Sequence, residues 1–203
     1  MSLSTNLPAV YIRTRIPKTY QRQPIISRLI SRYDLTINIA AALLGNYDRN
    51  YGWFDLELQG SPENVESGLV YLQALNIEIF RLTLKNLLEP RMKKSQPAIL
   101  DRVNVSIEQM DTVTEDEPEN DSTQEAGQTT LTKVQVCIPD RYRAQPVISR
   151  LVSRYKLTTN ITSALLSADA EDDGWFDLEL WGRRKQILLG LRYLEQLGLQ
   201  TWL

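Results

Sequence analysis

Two carboxylates, two positions apart and preceded by tryptophan, occur in Gly52-Trp53-Phe54-Asp55-Leu56-Glu57-Leu58. The same seven letters return as Gly174-Trp175-Phe176-Asp177-Leu178-Glu179-Leu180. On an extended strand, residues i and i+2 share one face about 6.5–7 Å apart. That is near the separation of the acid pairs that hydrolyse glycosides. Nothing else in the chain supports hydrolysis. There is no histidine, which removes the usual general base and the commonest metal ligand. The single cysteine, Cys137, excludes an internal disulfide and a thiolate zinc or iron–sulfur centre. Cys137 reads as an inert strand residue, and no catalytic residue, metal or cofactor is expected.

The acid pairs are part of a longer repeat. An offset of 122 positions holds without insertion from Tyr11/Lys133 to Phe80/Trp202. Roughly 30 of about 70 aligned positions are identical, which marks a tandem duplication rather than a solenoid. Two units, residues 9–82 and 131–203, therefore flank a connecting segment at 83–130.

Each unit shows the same order of elements. Val10, Ile12, Thr14 and Ile16 alternate with Tyr11, Arg13 and Arg15, the period of a half-buried strand. After Gln23-Pro24, the residues Ile25, Ile26, Leu29, Ile30 and Tyr33 repeat at helical spacing. Ser27, Arg28, Ser31 and Arg32 form the opposite face, read as a solvated stripe with two arginines one turn apart. Leu35 to Leu44 is ambiguous alone, but Thr158-Thr159-Asn160-Ile161-Thr162-Ser163 in the second copy is strand material. The Gly-Trp-Phe-Asp-Leu-Glu-Leu strand follows, with Phe54, Leu56 and Leu58 inward and Trp53, Asp55 and Glu57 on the other face. Ser61-Pro62-Glu63 opens a second helix, Asn76 (Gly198) closes it, and a short strand ends the unit.

Strand–helix–strand–strand–helix–strand is the split βαβ, or ferredoxin-like, α+β sandwich. Two helices cover one face of an antiparallel sheet, so the other face is left for solvent or a partner. In that topology the first strand neighbours the third, and Arg13 and Arg15 can pair with Asp55 and Glu57. The second copy has Gln135 and Cys137 instead, so Asp177 and Glu179 either stay solvated or meet arginines of the other copy. Trp53, Trp175 and Trp181 would share the helix-free face and expose aromatic area typical of an interface, with Asp55 and Asp177 among them.

The connecting segment reads as weakly helical and basic at Lys85 to Lys94, with one possible strand at Val103 to Ile107. From about Glu108 its acidic, apolar-poor composition is that of a disordered chain. A coil of ~50 residues spans ~40 Å root-mean-square, so the copies can meet within one chain. A net charge of −2 gives no field for nucleic acid. No signal-like segment or membrane-length apolar run is present, and a reducing, cytoplasmic setting is expected.

At Leu35-Thr36-Ile37-Asn38-Ile39 and Leu157-Thr158-Thr159-Asn160-Ile161 the chain resembles the NIL domain, named for an Asn-Ile-Leu signature. The leucine is here Ala40 and Thr162. The Arg-Tyr helix end, the alternating strand, Gly60 and the Tyr71-Leu72 helix support the match. The resemblance implies ferredoxin-like domains that pair, as in the regulatory tails of methionine-importer ATPases. It also implies an amino-acid ligand such as methionine near Asn38 and Asn160, at paired sheet surfaces within a chain or in a homodimer. No phosphate-binding loop or cysteine cluster of the family's companion domains is present. The expectation is a non-catalytic sensing module, with a protein-interaction scaffold as the alternative.

Overall fold

A computed structural model of the chain describes residues 9–45, 50–82, 128–168 and 172–203. The first copy comprises β1 (Val10–Pro17), α1 (Ile25–Tyr33), β2 (Thr36–Leu44), β3 (Tyr51–Gln59), α2 (Pro62–Ala74) and β4 (Glu78–Arg81). The second comprises β5 (Thr129–Ile138), α3 (Val147–Tyr155), β6 (Thr158–Leu166), β7 (Gly174–Arg183), α4 (Arg184–Gln196) and β8 (Gln200–Trp202). Both copies thus adopt the expected βαββαβ order, and the doubtful Leu35–Leu44 stretch is strand. β5 starts two residues before the expected boundary, because Thr129 and Thr130 pair with Arg183 and Gly182. The expectations for 85–94, 103–107 and the acidic stretch up to 127 lie outside the described residues.

Local chemistry explains the element ends. The Ser61 hydroxyl accepts from the Asn64 amide at 3.2 Å and caps α2, with Pro62 at its first position. Asn76 and Gly198 adopt φ of 53° and 69°, the left-handed turn that stops α2 and α4. A Cβ at Gly52 would lie 2.3 Å from Leu44 Cδ1, so glycine leaves room for that leucine, and Gly174 faces Leu166 Cδ1 in the same way at 2.9 Å.

The eight strands form one antiparallel sheet in the order β4-β1-β3-β2-β6-β7-β5-β8. The copies meet edge to edge, through Ala42↔Leu166, Leu43↔Leu165 and Leu44↔Ala164. This corrects the expectation of pairing through sheet surfaces. An isolated unit would leave the β2 edge bare, and pairing it with β6 removes that liability. Small domains of ~70 residues bury little apolar area alone, so joining also extends the core. A single buried cluster runs through both copies, from Ile12, Leu29 and Leu56 to Leu151, Leu178 and Leu194.

The helices reinforce the joint, for α1 packs on β6 and on α3, and α3 packs on β2. Ser27 and Ser149, read as solvated, are instead buried there. Thr159 N donates to Ser27 Oγ at 3.1 Å, and Ile37 N donates to Ser149 Oγ at 3.2 Å. Each serine satisfies a strand amide of the other copy that no neighbouring strand reaches. Ser31 and Arg32 remain exposed, as expected.

Candidate functional site

Asn38 and Asn160 are buried, yet each lies where the copies touch. Asn38 Nδ2 donates to the Arg143 carbonyl of the second copy at 3.0 Å and contacts Glu57 Oε2 at 3.4 Å. Asn160 Nδ2 reaches the Gln21 carbonyl of the first copy and Glu179 Oε2, both at 3.4 Å. The loop between the first strand and first helix of one copy therefore closes on the asparagine of the other. An amide suits this position because it donates to a carbonyl and a carboxylate at once.

Behind each asparagine is a small slot with apolar walls. The Asn38 slot is lined by Ile37, Tyr142, Arg143, Pro146, Leu166 and Phe176 and encloses about 30 Å³. The Asn160 slot is lined by Thr159, Tyr20, Gln21, Pro24, Leu44 and Phe54 and encloses about 20 Å³. The two sets match at the repeat offset, so one site is built twice. A water needs ~10–15 Å³ of such space, so each slot as it stands admits one or two waters. Anything larger must displace the Tyr20–Gln23 or Tyr142–Gln145 loop. Arg28 and Arg150 brace those loops through Gln23 Oε1 at 2.9 Å and Gln145 Oε1 at 3.3 Å.

The acid pairs lie on the helix-free face, as the register requires: Asn38 faces Glu57 and Asn160 faces Glu179. Asp55 is buried under Arg13, which holds it with two hydrogen bonds of 2.6 and 2.8 Å. Its carboxylate is engaged inside the first copy. Glu57 accepts from Gln59 and Asn38 and meets the Tyr11 phenol, whose pKa is raised by burial first and then by Glu57. In the second copy Asp177 accepts from the neutral Gln135 amide at 2.8 Å, and Lys133 stands 3.9 Å from Glu179. Among the described residues no three histidine, cysteine, aspartate or glutamate side chains could hold a metal ion.

The tryptophans also take the helix-free face. Trp53, Leu43, Leu165 and Trp175 form one cross-strand row over the joint. Trp53 is covered by Phe80 and by Arg15, whose guanidinium also lies 3.6 Å from the Tyr51 ring centroid. Trp175 stacks on Trp202 and is exposed. Trp181 lies six residues further along β7, so it does not join that row. Cys137 is buried beside Asp173, and burial first, then Asp173, pushes its thiol up. Among the described residues no helix is long and apolar enough to cross a membrane.

The sequence singled out Asn38 and Asn160 but not the groups that they meet across the joint. Ser27, Ser149 and the Gln21 and Arg143 carbonyls act across the joint, and a repeat compared with itself carries no signal of contacts between its copies.

Edge-joined βαββαβ units with a buried polar contact at the seam define a paired ferredoxin-like module. The NIL domain model matches residues 10–80 and 132–202, and the chain belongs to the NIL domain family. It is 41% identical over 64 residues to an uncharacterized protein of Synechocystis sp., a match spanning 32% of this chain and 65% of that protein. A second uncharacterized protein, from Synechococcus elongatus, is 36% identical over 69 residues, spanning 34% of this chain and 85% of the relative. A crystal structure of a proposed glycine cleavage system transcriptional repressor aligns at TM-score 0.29 and 11% identity, covering 96% and 94% of the two chains. Likeness of that degree does not discriminate among functions.

Proposed function

We propose that this chain is a non-catalytic regulatory module that senses a small amino acid, with methionine the first candidate, at the joint between its two NIL domains. The observation that carries this reading is the construction of the slots. Each has one wall from an asparagine strand and the other from a loop of the opposite copy. A ligand that fills a slot must therefore act on the contact between copies, and its binding energy is linked to the paired state. At 100 times its dissociation constant it would stabilise that state by about 2.7 kcal/mol.

Thermal unfolding in the presence of each of the twenty amino acids tests it. The expected result is a rise in melting temperature with one or a few, lost in Asn38→Ala/Asn160→Ala. No rise with any, or a rise indifferent to those substitutions, rejects the reading.

One observation favours a second role. The bare Trp175–Trp202 pair beside Leu165 is an exposed apolar patch of the kind that grips a protein. Loss of a captured partner in Trp175→Ala, with no amino-acid response in the parent chain, would favour a scaffold.

A further inference from the structure

Because the same slot occurs twice, each position in one has a counterpart in the other, and the differences are informative. Thr159 stands where the Asn38 slot has Ile37, and Gln21 stands where it has Arg143. Thr159 is 2% exposed, and its hydroxyl has no hydrogen-bond partner among the described residues. The Gln21 amide nitrogen is likewise buried without one. A buried polar group left unmatched is destabilising, so two at one slot favour a partner that enters it.

The Asn38 slot has no such vacancy among its polar groups. Ile37 is apolar, and Arg143 is fastened to Asp140 at 2.7 Å and to the Ser167 carbonyl at 2.6 Å. Its own carbonyl takes the shorter bond from asparagine, 3.0 Å against 3.4 Å at the other slot.

Gln21 also lines a wide groove of about 970 Å³ on the helix-free face of the second copy, next to Arg22, Lys133, Asp177, Glu179 and Trp202. The Asn160 slot and this groove thus share a wall residue. Arg22 has no ion-pair or hydrogen-bond partner among the described residues, and its counterpart in the other copy is Ala144. The first copy's acids are more heavily engaged, Asp55 by Arg13 and Glu57 by Tyr11 and Gln59. One end of the joint therefore offers a cation, two lightly engaged carboxylates and an apolar recess with unmet hydrogen-bonding groups. The other end offers none of these together.

Resting on the sensing role proposed above, we propose that the chain has one working ligand site rather than two. With the Tyr20–Gln23 loop displaced, the Asn160 slot takes the side chain of a zwitterionic amino acid. Arg22 seats its carboxylate, and Glu179 with Asp177 seats its ammonium group in the adjoining groove. The Asn38 slot is a joint that holds the copies together.

Calorimetric titration of the full chain with L-methionine, and with any other amino acid that shifts its melting, decides the matter. One ligand per chain is expected. Arg22→Ala should weaken binding at least tenfold, and the isosteric Thr159→Val by about two- to tenfold, the loss of one hydrogen bond. In the unsubstituted chain, bound ligand should slow amide exchange at Tyr20–Gln23 and leave Tyr142–Gln145 unchanged. Two ligands per chain, or equal slowing of both loops, overturns this inference and leaves the sensing role standing. One ligand indifferent to both substitutions overturns it as well. Absence of binding by all twenty amino acids overturns both.

Discussion

The helix-free faces of the two copies share one strand sequence, Gly-Trp-Phe-Asp-Leu-Glu-Leu, and differ in how it is engaged. In the first copy Arg13 clamps Asp55, and Arg15 covers Trp53 while bonding Glu78 at 3.0 Å. In the second, Gln135 and Cys137 occupy those positions on β5, Asp177 keeps a neutral partner, and Trp175, though stacked on Trp202, is exposed. The backbone and register are the same, so the neighbouring strand decides whether identical residues become a sealed structural face or an open one. Duplicated units can share a fold and divide their tasks through a few side chains on one edge-adjacent strand.

Substitution at matched positions tests how far the likeness extends. Leu29 and Leu151 are both wholly buried, in one cluster that spans the copies. Leu29→Ala and Leu151→Ala should each cost about 2–5 kcal/mol in urea unfolding, with one shared transition. Two separate transitions would break the comparison at its root. The clamp should divide the copies. Arg13→Ala leaves Asp55 buried with a lost partner and should cost about 2–3 kcal/mol, toward the low side for a buried pair because Arg13 is partly open to water. Gln135→Ala, which removes an exposed bond from an uncharged donor, should cost less than about 1 kcal/mol.

Ser27→Ala and Ser149→Ala should each cost about 1–2 kcal/mol, because a buried strand amide loses its acceptor. Unequal costs would locate the weaker side of the joint. The smallest effect concerns alkaline pH. The Tyr11 phenol and the Cys137 thiol are both raised above their ordinary values in the folded chain. A raised acid favours the protonated fold, so their contribution is complete below the unfolded values and fades as pH rises through the folded ones. Cys137→Ser should flatten the fall in stability above the ordinary thiol value of about 8.5, and Tyr11→Phe the part nearer 10. Denaturation midpoints across pH 7–11 measure both.

Much of this was legible in the sequence. The alternation at Val10–Ile16, the capped helix at Ser61-Pro62 and the left-handed Asn76 report local backbone preferences, which a short window contains. The repeat resolved Leu35–Leu44 because the threonines of the second copy disfavour helix. The joint was not legible. Ser27 sits on a helical face that pattern alone assigns to solvent, and its burial depends on another strand lying over it. Asn38 and Asn160 could be picked out as disfavoured mid-strand residues. That each reaches the backbone of the opposite copy depends on which sheet edges meet, and hydrophobic period does not encode that choice.

Amide hydrogen exchange at the β2–β6 seam tests the central claim most directly. In dilute full-length chain, the hydrogen-bonded amides of Ala42–Leu44 and Ala164–Leu166 should be protected to the level of the surrounding sheet, independent of protein concentration. Rapid exchange at those of these amides that point across the seam, or protection that grows with concentration, would show that the two domains do not form one sheet within a single chain.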